Sequence, residues 1–281
     1  MGAMDYFKPV STWTVQKVRD FIDSSEEGGY NLVDVRQPGE YEQGHLPGAR
    51  LIPVGQLGDR TAELDPGKTT IVYCAAGVRS RAGASILDRA GFREVHSMSG
   101  GFNAWQGLVA TGFPEAGMAW FAPARSVSEL TALAWILEEG TKTFYATMAE
   151  VPGTPEASAL FRDLVTAEEH HKELLAALYR NSTGASVDID FLTPLGTGPP
   201  DKVMEGGLRL EEAVAWAVGR PAREIFELSL ALEAGSYDRY LYMRDTADDE
   251  KSRNVFNTLA VEEKQHLGKL TAAFEKLTGQ S

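Results

Sequence analysis

The chain has 281 residues, 43% of them hydrophobic, and carries a formal net charge of −13 with an isoelectric point near 4.9. This length is enough for two independent hydrophobic cores, because single domains cluster at about 100–150 residues. The acidic balance offers no basic face for a phosphate backbone or an anionic membrane, so we expect neither nucleic acid nor lipid as a partner.

The chain contains one cysteine, Cys74, which excludes an internal disulfide and a Cys-x-x-Cys metal centre. No apolar run approaches the ~20 residues that span a bilayer, and the first residues lack the apolar core of a secretion signal. We therefore expect a soluble, cytoplasmic protein.

Short apolar runs alternate with amphipathic segments over the first 110 residues. Four of these runs are predicted to be buried strands, at 31–35, 50–54, 69–73 and 94–97. Helical patterns such as 15–23 and 81–90 lie between them. Strands interleaved with helices predict a parallel α/β sheet, and ligands of such sheets bind beyond the carboxyl ends of the strands.

Cys74 directly follows the predicted strand 69–73, and a helix is predicted to begin near Ser80. The intervening loop consists of Ala75, Ala76, Gly77, Val78 and Arg79. Successive amides in a tight loop at a helix N-terminus form an anion-binding nest, which favours a thiolate and an anionic substrate. A lone cysteine at a strand end is more often buried and inert, but the small-residue loop and Arg79 favour a nucleophile.

Four motifs give this half a resemblance to a single-domain rhodanese over residues 11–110. They are DVRQPGEY at 34–41, GHLPGA at 44–49, CAAGVRS at 74–80 and GGFNAW at 100–105. The resemblance implies that Cys74 takes sulfane sulfur from a donor such as thiosulfate or a persulfide, holds it as a persulfide and passes it to an external thiol or cyanide. It also implies that the amides of Ala75, Ala76, Gly77, Val78 and Arg79 surround the persulfide, and that Arg79 helps to hold the donor.

On this resemblance Asp34 and Arg36 are structural residues beside the site, and His45 fixes a turn rather than acting as a base. The competing interpretation is a cysteine phosphatase, whose loop holds phosphate by amides and an arginine. Four residues separate Cys74 from Arg79, one fewer than in the phosphatase signature. A shorter loop encloses a smaller anion, so we favour sulfur transfer.

Residues 111–126 keep no periodicity and contain two glycines and two prolines, which predicts a linker. Four long amphipathic segments follow, at 127–149, 156–180, 221–245 and 248–277. The long connection at 181–220 includes a short helical patch near 210–217. One long connection between the second and third helices is typical of ferritin-like four-helix bundles. The predicted architecture is therefore an α/β domain at 1–110, a linker at 111–126 and an all-α domain at 127–281.

Two Glu-x-x-His pairs occur 95 positions apart, Glu168 with His171 and Glu263 with His266. Residues three apart on a helix share a face at about 5–6 Å, so each pair can present an oxygen and a nitrogen to the same ion. The same offset relates Leu137-Glu138-x-Gly140 to Leu232-Glu233-x-Gly235. We therefore predict two copies of a helical hairpin.

The duplication supplies two more acidic residues on apolar stretches, where an unpaired charge is costly. The predicted metal ligands are Glu138, Glu168, His171, Glu233, Glu263 and His266. One Glu from each of two helices plus Glu-x-x-His from each of the others is the ligand set of ferritin-like dinuclear carboxylate proteins. Such ligands suit two iron ions, with manganese or another divalent metal as alternatives.

The neighbouring side chains divide into two groups. Tyr145 and Tyr240 lie two turns after Glu138 and Glu233, on the same helix faces, and are predicted to donate hydrogen bonds to ligands. The other group is interpreted as solvated surface, and consists of Glu139, Glu169, His170 and Glu262.

The second half resembles the rubrerythrin-like branch of the ferritin-like family. This resemblance implies a di-iron site that reacts with peroxide or dioxygen. No rubredoxin-type cysteines follow, so electrons would come from an external donor protein. The extra Glu of true rubrerythrins is also absent, because Leu230 and Ser236 occupy the positions three residues either side of Glu233.

The oligomeric state and a second functional interpretation stay open at this stage. Ferritin-like bundles often form homodimers through exposed helix faces, but no apolar stripe in this sequence identifies such a face. The alternative function is a non-catalytic sulfur carrier whose helical domain stores or senses metal, or is stabilised by it.

Overall fold

The computed structural model describes residues 10–112, 114, 127–151, 154–184 and 202–278. The chain divides into two compact units, Met1–Gly112 and Phe113–Ser281. Most of the predicted linker 111–126, and residues 185–201 of the predicted long connection, lie outside the described residues. Within the described ranges, none of the helices combines the length and the hydropathy needed to cross a membrane.

Five parallel strands form the sheet of the first unit, in the order β1-β5-β4-β2-β3. They are β1 (Ser11–Trp13), β2 (Tyr30–Asp34), β3 (Arg50–Leu51), β4 (Thr69–Tyr73) and β5 (Glu94–Met98). The central strands β2, β4 and β5 each end in at least three consecutive buried residues, the pattern of a parallel sheet covered on both faces. The predicted parallel sheet is confirmed.

Two strands differ from the prediction. β1 has three residues, too few for a periodic pattern, and the sequence does not predict it. The predicted strand 50–54 is regular only over β3, because Pro53 has no amide to continue the hydrogen-bonded ladder.

Three helices flank this sheet, α1 (Val15–Ser24), α2 (Pro38–Gln43) and α3 (Val78–Arg89). In α2 the Glu40 carboxylate accepts a hydrogen bond from the Gln37 amide at 3.1 Å, which fixes this side chain at the start of the helix. α3 begins three residues before the predicted segment 81–90. Gly77 precedes it with φ of +91°, a left-handed conformation that glycine adopts without strain.

The second unit is built on four long helices and one short one. They are α4 (Val127–Glu150), α5 (Pro155–Thr183), α6 (Leu210–Ala217), α7 (Ala222–Thr246) and α8 (Glu250–Thr278). α4 packs along α5, α7 packs along α8, and α5 also contacts α8. The four predicted long segments are confirmed to within three residues at each end, because their 3.6-residue periodicity extends over six or more turns.

A short antiparallel pair, β6 (Val203–Met204) and β7 (Leu208–Arg209), precedes α6. β6 crosses α4 at Gly140, where an added Cβ would lie 2.2 Å from the Val203 carbonyl oxygen. The next residue after β6, Glu205, donates its amide hydrogen to Thr141 Oγ1 at 3.1 Å. The glycine therefore lets the connection between α5 and α6 lie directly against α4.

Candidate functional site

Cys74 follows β4 with its side chain buried, and the loop to α3 surrounds the sulfur. The Gly77 amide donates to Cys74 Sγ at 3.1 Å. Ser80 Oγ lies 3.7 Å from the same sulfur and shares a 2.8 Å hydrogen bond with Ser97 Oγ on β5. The sulfur is therefore held by polar groups of the loop and of the first turn of α3.

These groups lower the pKa of the Cys74 thiol. Burial acts in the opposite direction, but hydrogen bonds from the Ser80 amide and hydroxyl, and then from the Ala76 and Gly77 amides, outweigh it. Each of these donors stabilises the thiolate more than the thiol. Because the thiolate is the nucleophilic form of cysteine, the loop prepares Cys74 for attack on an electrophile.

The Gly-Gly-Phe motif packs against the back of this loop. The Phe102 amide donates to the Cys74 carbonyl at 2.7 Å, and the Asn103 amide donates to the Ala75 carbonyl at 2.9 Å. Gly101 has φ of +58°, and an added Cβ would lie 2.1 Å from the Cys74 carbonyl oxygen. The glycine is therefore required for the close approach that fixes the loop.

Arg79, predicted to hold an anionic donor, is paired with Glu40 of α2. Its two terminal nitrogens donate to the two carboxylate oxygens of Glu40, each at 2.7 Å. The hydrogen bond from Arg79 lowers the pKa of Glu40 to about 2 despite partial burial. Glu40 lies in the DVRQPGEY motif, but the sequence alone does not predict that it pairs with Arg79. Of the other predicted loop residues, Val78 is 70% exposed.

Asp34, Arg36 and His45 have the structural roles that the sequence predicts. Arg36 donates to the Asp34 carboxylate at 2.6 Å and to the Gly44 carbonyl at 2.7 Å, and the pair is buried. The His45 ring is stacked on Tyr41 with centroids 3.6 Å apart, and its Nδ1 lies 3.0 Å from the Tyr41 carbonyl oxygen. These contacts fix the turn after α2.

In the second unit, the six predicted metal ligands lie together between α4, α5, α7 and α8, each at most 5% exposed. His171 Nδ1 lies 3.3 Å from a carboxylate oxygen of Glu168 and 3.3 Å from one of Glu263. His266 Nδ1 lies 3.2 Å from Glu263 and 3.3 Å from Glu233. The six residues, which we call the carboxylate cluster, are Glu138, Glu168, His171, Glu233, Glu263 and His266.

The carboxylate cluster fits divalent cations. Its ligand atoms form three overlapping groups, and within each group all atoms lie within 4.8 Å of one another. Among the described residues, several of its buried atoms have no hydrogen-bond partner, namely Glu138 Oε2, Glu168 Oε2, Glu263 Oε1 and His171 Nδ1. Three buried carboxylates with unpartnered oxygens are costly unless a cation neutralises them. Carboxylate oxygens with imidazole nitrogens suit iron or manganese.

Burial and mutual repulsion raise the pKa of two of these carboxyl groups. For Glu233, burial and then the charge of Glu263 raise the pKa to about 8. For Glu168, burial and then the charge of Glu138 raise it well above the usual range. Without a cation the cluster therefore resists the fully ionised state.

Two buried tyrosines connect the hairpins across the cluster. Tyr145 on α4 donates to Glu233 Oε1 on α7 at 2.5 Å, and Tyr240 on α7 donates to Glu138 on α4. The sequence predicts each tyrosine on the face of the glutamate of its own helix, but each hydroxyl reaches the glutamate of the other hairpin. This exchange follows the 95-residue offset, so the two hairpins contribute equivalent groups.

One predicted surface residue proves to belong to the cluster's surroundings. Glu262 is interpreted from the sequence as solvated, yet its Oε2 lies 3.2 Å from His171 Nε2 and its side chain is only 28% exposed. The sequence could not show this contact, because Glu262 reaches a histidine of another helix. The His170 side chain is 53% exposed, and the carboxylates of Glu139 and Glu169 form ion pairs with lysines.

A buried ion pair that the sequence does not predict joins Glu205 to Arg239 of α7, and both residues are at most 2% exposed. Burial raises the pKa of Glu205 to about 7. The positive charge of Arg239 lowers this pKa, and the negative charge of Glu138 raises it. The influence of Glu138 shows that the pair lies near the carboxylate cluster. One signal was present: Arg239 breaks the repeat, because Phe144 stands 95 positions before it.

Residues 17–108 match the Rhodanese-like domain family. The thiosulfate sulfurtransferase GlpE of Pseudoalteromonas translucida is 35% identical over 75 residues, which are 27% of this chain and 71% of that protein. This chain belongs to the rhodanese-like family. The resemblance inferred for residues 11–110 is thereby confirmed, and the match ends at residue 108, before the helical unit.

The chain has two further similarities, one to a bacterial protein and one to a solved structure. The uncharacterized protein YqhL of Bacillus subtilis is 42% identical over 78 residues, 28% of this chain. This chain spans 62% of the length of YqhL, less than two thirds. A solved rhodanese with anions from E. coli is 34% identical, with 30% of this chain and 99% of that chain covered and a TM-score of 0.28.

Proposed function

We propose that the rhodanese-like unit is a sulfurtransferase in which Cys74 carries sulfane sulfur as a persulfide. The observation that carries this proposal is the buried sulfur with a lowered pKa, surrounded by donors from Gly77 and Ser80. The thiosulfate sulfurtransferase GlpE, a relative over this unit, supports the same activity.

The reaction has two balanced steps. The Cys74 thiolate attacks the outer sulfur of a donor such as thiosulfate, the bond to the central sulfur breaks, and sulfite leaves with the electron pair. An external thiol or cyanide then attacks the outer sulfur of the persulfide and regenerates the Cys74 thiolate. The amides of Ala75, Ala76, Gly77, Val78 and Arg79 surround the transferred sulfur, and Arg79 faces the donor. A loop of four residues between Cys74 and Arg79 encloses a sulfur more closely than a phosphate.

The test is sulfur loading of wild type and Cys74→Ser with thiosulfate, followed by cyanide. Wild type gains the mass of one sulfur atom and releases thiocyanate, whereas Cys74→Ser does neither, because no other cysteine is present. Thiocyanate formation by Cys74→Ser at the wild-type rate would contradict the proposal.

We further propose that the helical unit is a ferritin-like four-helix bundle, related to rubrerythrin, whose carboxylate cluster holds two metal ions, iron or else manganese. The unpartnered buried atoms of the cluster carry this proposal. Bound iron would supply redox chemistry toward peroxide or dioxygen, with electrons from an external donor protein. The residues that would hold it are Glu138, Glu168, His171, Glu233, Glu263 and His266.

The surrounding side chains orient these ligands. Tyr145 fixes one carboxylate oxygen of Glu233, and Tyr240 fixes one of Glu138. The second oxygen of each glutamate is left for a cation. Glu262 faces the outer nitrogen of His171 and favours the tautomer whose Nδ1 is a free acceptor within the cluster.

Metal content and the optical spectrum of protein produced with iron test this second proposal. We expect two metal ions per wild-type chain, loss of at least one in Glu263→Ala, and full content in the surface control Glu169→Ala. Wild-type protein that contains no metal would contradict the metal site. Iron-loaded protein that leaves peroxide unchanged would contradict only the redox activity.

A further inference from the structure

Glu40 is paired with Arg79, the arginine that a small anionic donor would need. Both Glu40 oxygens accept from Arg79 at 2.7 Å, so the guanidinium fork is used in a bidentate pair. Arg79 is the single basic residue between Cys74 and Ser80. Its pKa is raised first by the hydrogen bond to Glu40 and, less strongly, by the Cys74 charge, so Arg79 lies within reach of both.

The pair is held in place and stays ionised. The Gln37 amide donates to Glu40 Oε2 at 3.1 Å, which anchors the carboxylate independently of Arg79. The pKa of Glu40 is lowered to about 2, so the carboxylate keeps its charge throughout the neutral range. The net charge that the pair offers beside Cys74 is therefore near zero.

Two classes of sulfur donor respond differently to this neutralised site. Thiosulfate is a dianion and expels sulfite, also a dianion, so it needs a cation beside the leaving group. An organic persulfide carries one negative charge on its terminal sulfur and expels a monoanionic thiolate. A carboxylate at the site repels the first donor more strongly than the second, since repulsion scales with the product of the charges.

We propose that Glu40 is a specificity-determining residue that makes Cys74 accept sulfur from an organic persulfide in preference to thiosulfate. This inference rests on the proposed sulfurtransferase function and names its donor class. In the step, the Cys74 thiolate attacks the terminal sulfur of R–S–S⁻, the donor S–S bond breaks, and R–S⁻ leaves with the electron pair. One S–S bond is lost and one is formed, so no oxidant or reductant is required.

The loop surface agrees with a donor that has an organic part. Val78 at the loop is 70% exposed, and Ala75 and Ala76 are small and uncharged. A bare oxyanion gains nothing from these apolar side chains, whereas the carbon chain of a thiol can contact them.

The test is single-turnover loading of Cys74, measured by intact mass after quenching, over a range of thiosulfate or glutathione persulfide concentrations. We expect wild type to load faster from glutathione persulfide. Glu40→Gln should raise the second-order loading rate for thiosulfate about tenfold, mainly through tighter donor binding, with less than about twofold change for the persulfide. Because the expected effect is a gain, a misfolded variant cannot produce it.

Two further variants check the assignment. Glu42→Gln, an exposed residue of the same helix, should leave both rates unchanged. The double variant Glu40→Gln with Arg79→Gln should lose the gain with thiosulfate, because the freed guanidinium causes it. Two results would overturn only the role of Glu40. They are an unchanged ratio of the two loading rates in Glu40→Gln, and faster loading of wild type from thiosulfate than from the persulfide. Loading from neither donor would instead overturn the sulfurtransferase, and this inference with it.

Discussion

The two sites of this chain hold negative charge by opposite means. At Cys74, main-chain amides and one hydroxyl converge on a single sulfur and lower its pKa. In the carboxylate cluster, four glutamates from four helices converge on one another, and burial with repulsion raises the pKa of Glu168 and Glu233. The first site carries its own compensation, whereas the second would be neutralised by the metal ions that we propose for it.

This difference determines which substitutions each site tolerates. A site made of amides depends on backbone conformation, so glycines beside it matter more than the identity of the loop side chains. A site made of side chains depends on each ligand and on the close packing of the helices that present them. The two units should therefore respond to different perturbations.

Metal removal should give the largest effect. If two ions occupy the carboxylate cluster, chelation leaves buried carboxylates unpaired, and the free energy of unfolding of the helical unit falls. The expected loss is about 4 kcal/mol where free metal exceeds the dissociation constant a thousandfold. Thermal unfolding by circular dichroism with and without chelator measures it. Glu263→Ala, which should lose at least one ion, should respond less to chelator than wild type does. A response in metal-loaded wild type that is no larger than in this variant would contradict the prediction.

Gly101→Ala should destabilise the rhodanese-like unit by about 3 kcal/mol, because the added methyl group would overlap the Cys74 carbonyl at a positive φ. Sulfur loading should fall with it, since the loop shifts. Gly39→Ala is the control, because no atom of the described residues beyond its own helix lies within 4 Å of a Cβ there. Chemical denaturation and loading assays on both variants check the prediction, and equal stabilities would refute it.

Gly140 and Gly235 form a matched pair at the 95-residue offset. A Cβ at Gly140 would lie 2.2 Å from the Val203 carbonyl oxygen. At Gly235, no atom of the residues that the structure describes outside α7 lies within 4 Å of one. We expect Gly140→Ala to cost about 2 kcal/mol or more, and Gly235→Ala to stabilise α7 by up to about 1 kcal/mol. Denaturant unfolding measures both, and a loss at Gly235 as large as at Gly140 would show that the repeat packs symmetrically.

These glycines illustrate what the sequence could predict. The sequence predicts the long helices and the Glu-x-x-His pairs because periodicity and a constant offset are visible in the order of the residues. Gly140 and Gly235 are identical in that pattern, and only the position of β6 distinguishes them. For the same reason, the ion pair between Glu205 and Arg239 cannot be predicted from the sequence.

At the sulfur site, the order of strand, small-residue loop and helix predicts an anion-binding loop at Cys74, and the structure shows which groups donate to the sulfur. The sequence places Arg79 near Cys74 but cannot show that Glu40, 39 positions earlier, takes both of its nitrogens. Pairs between distant segments leave no periodic trace, so they were missed in both units.

Ser80→Ala should give the smallest effect, a shift in pH dependence. Sulfur loading requires the thiolate, so its rate rises with pH through the Cys74 pKa, which lies below the usual value. Removing the Ser80 hydroxyl takes one donor from the sulfur and leaves the amides, so the midpoint should move up by about 1 pH unit or less. The plateau rate at high pH should stay unchanged, because the ionised thiol is then fully populated in both proteins. Ser85→Ala on the same helix is the control, and a midpoint that moves down would mean that the hydroxyl stabilises the thiol rather than the thiolate.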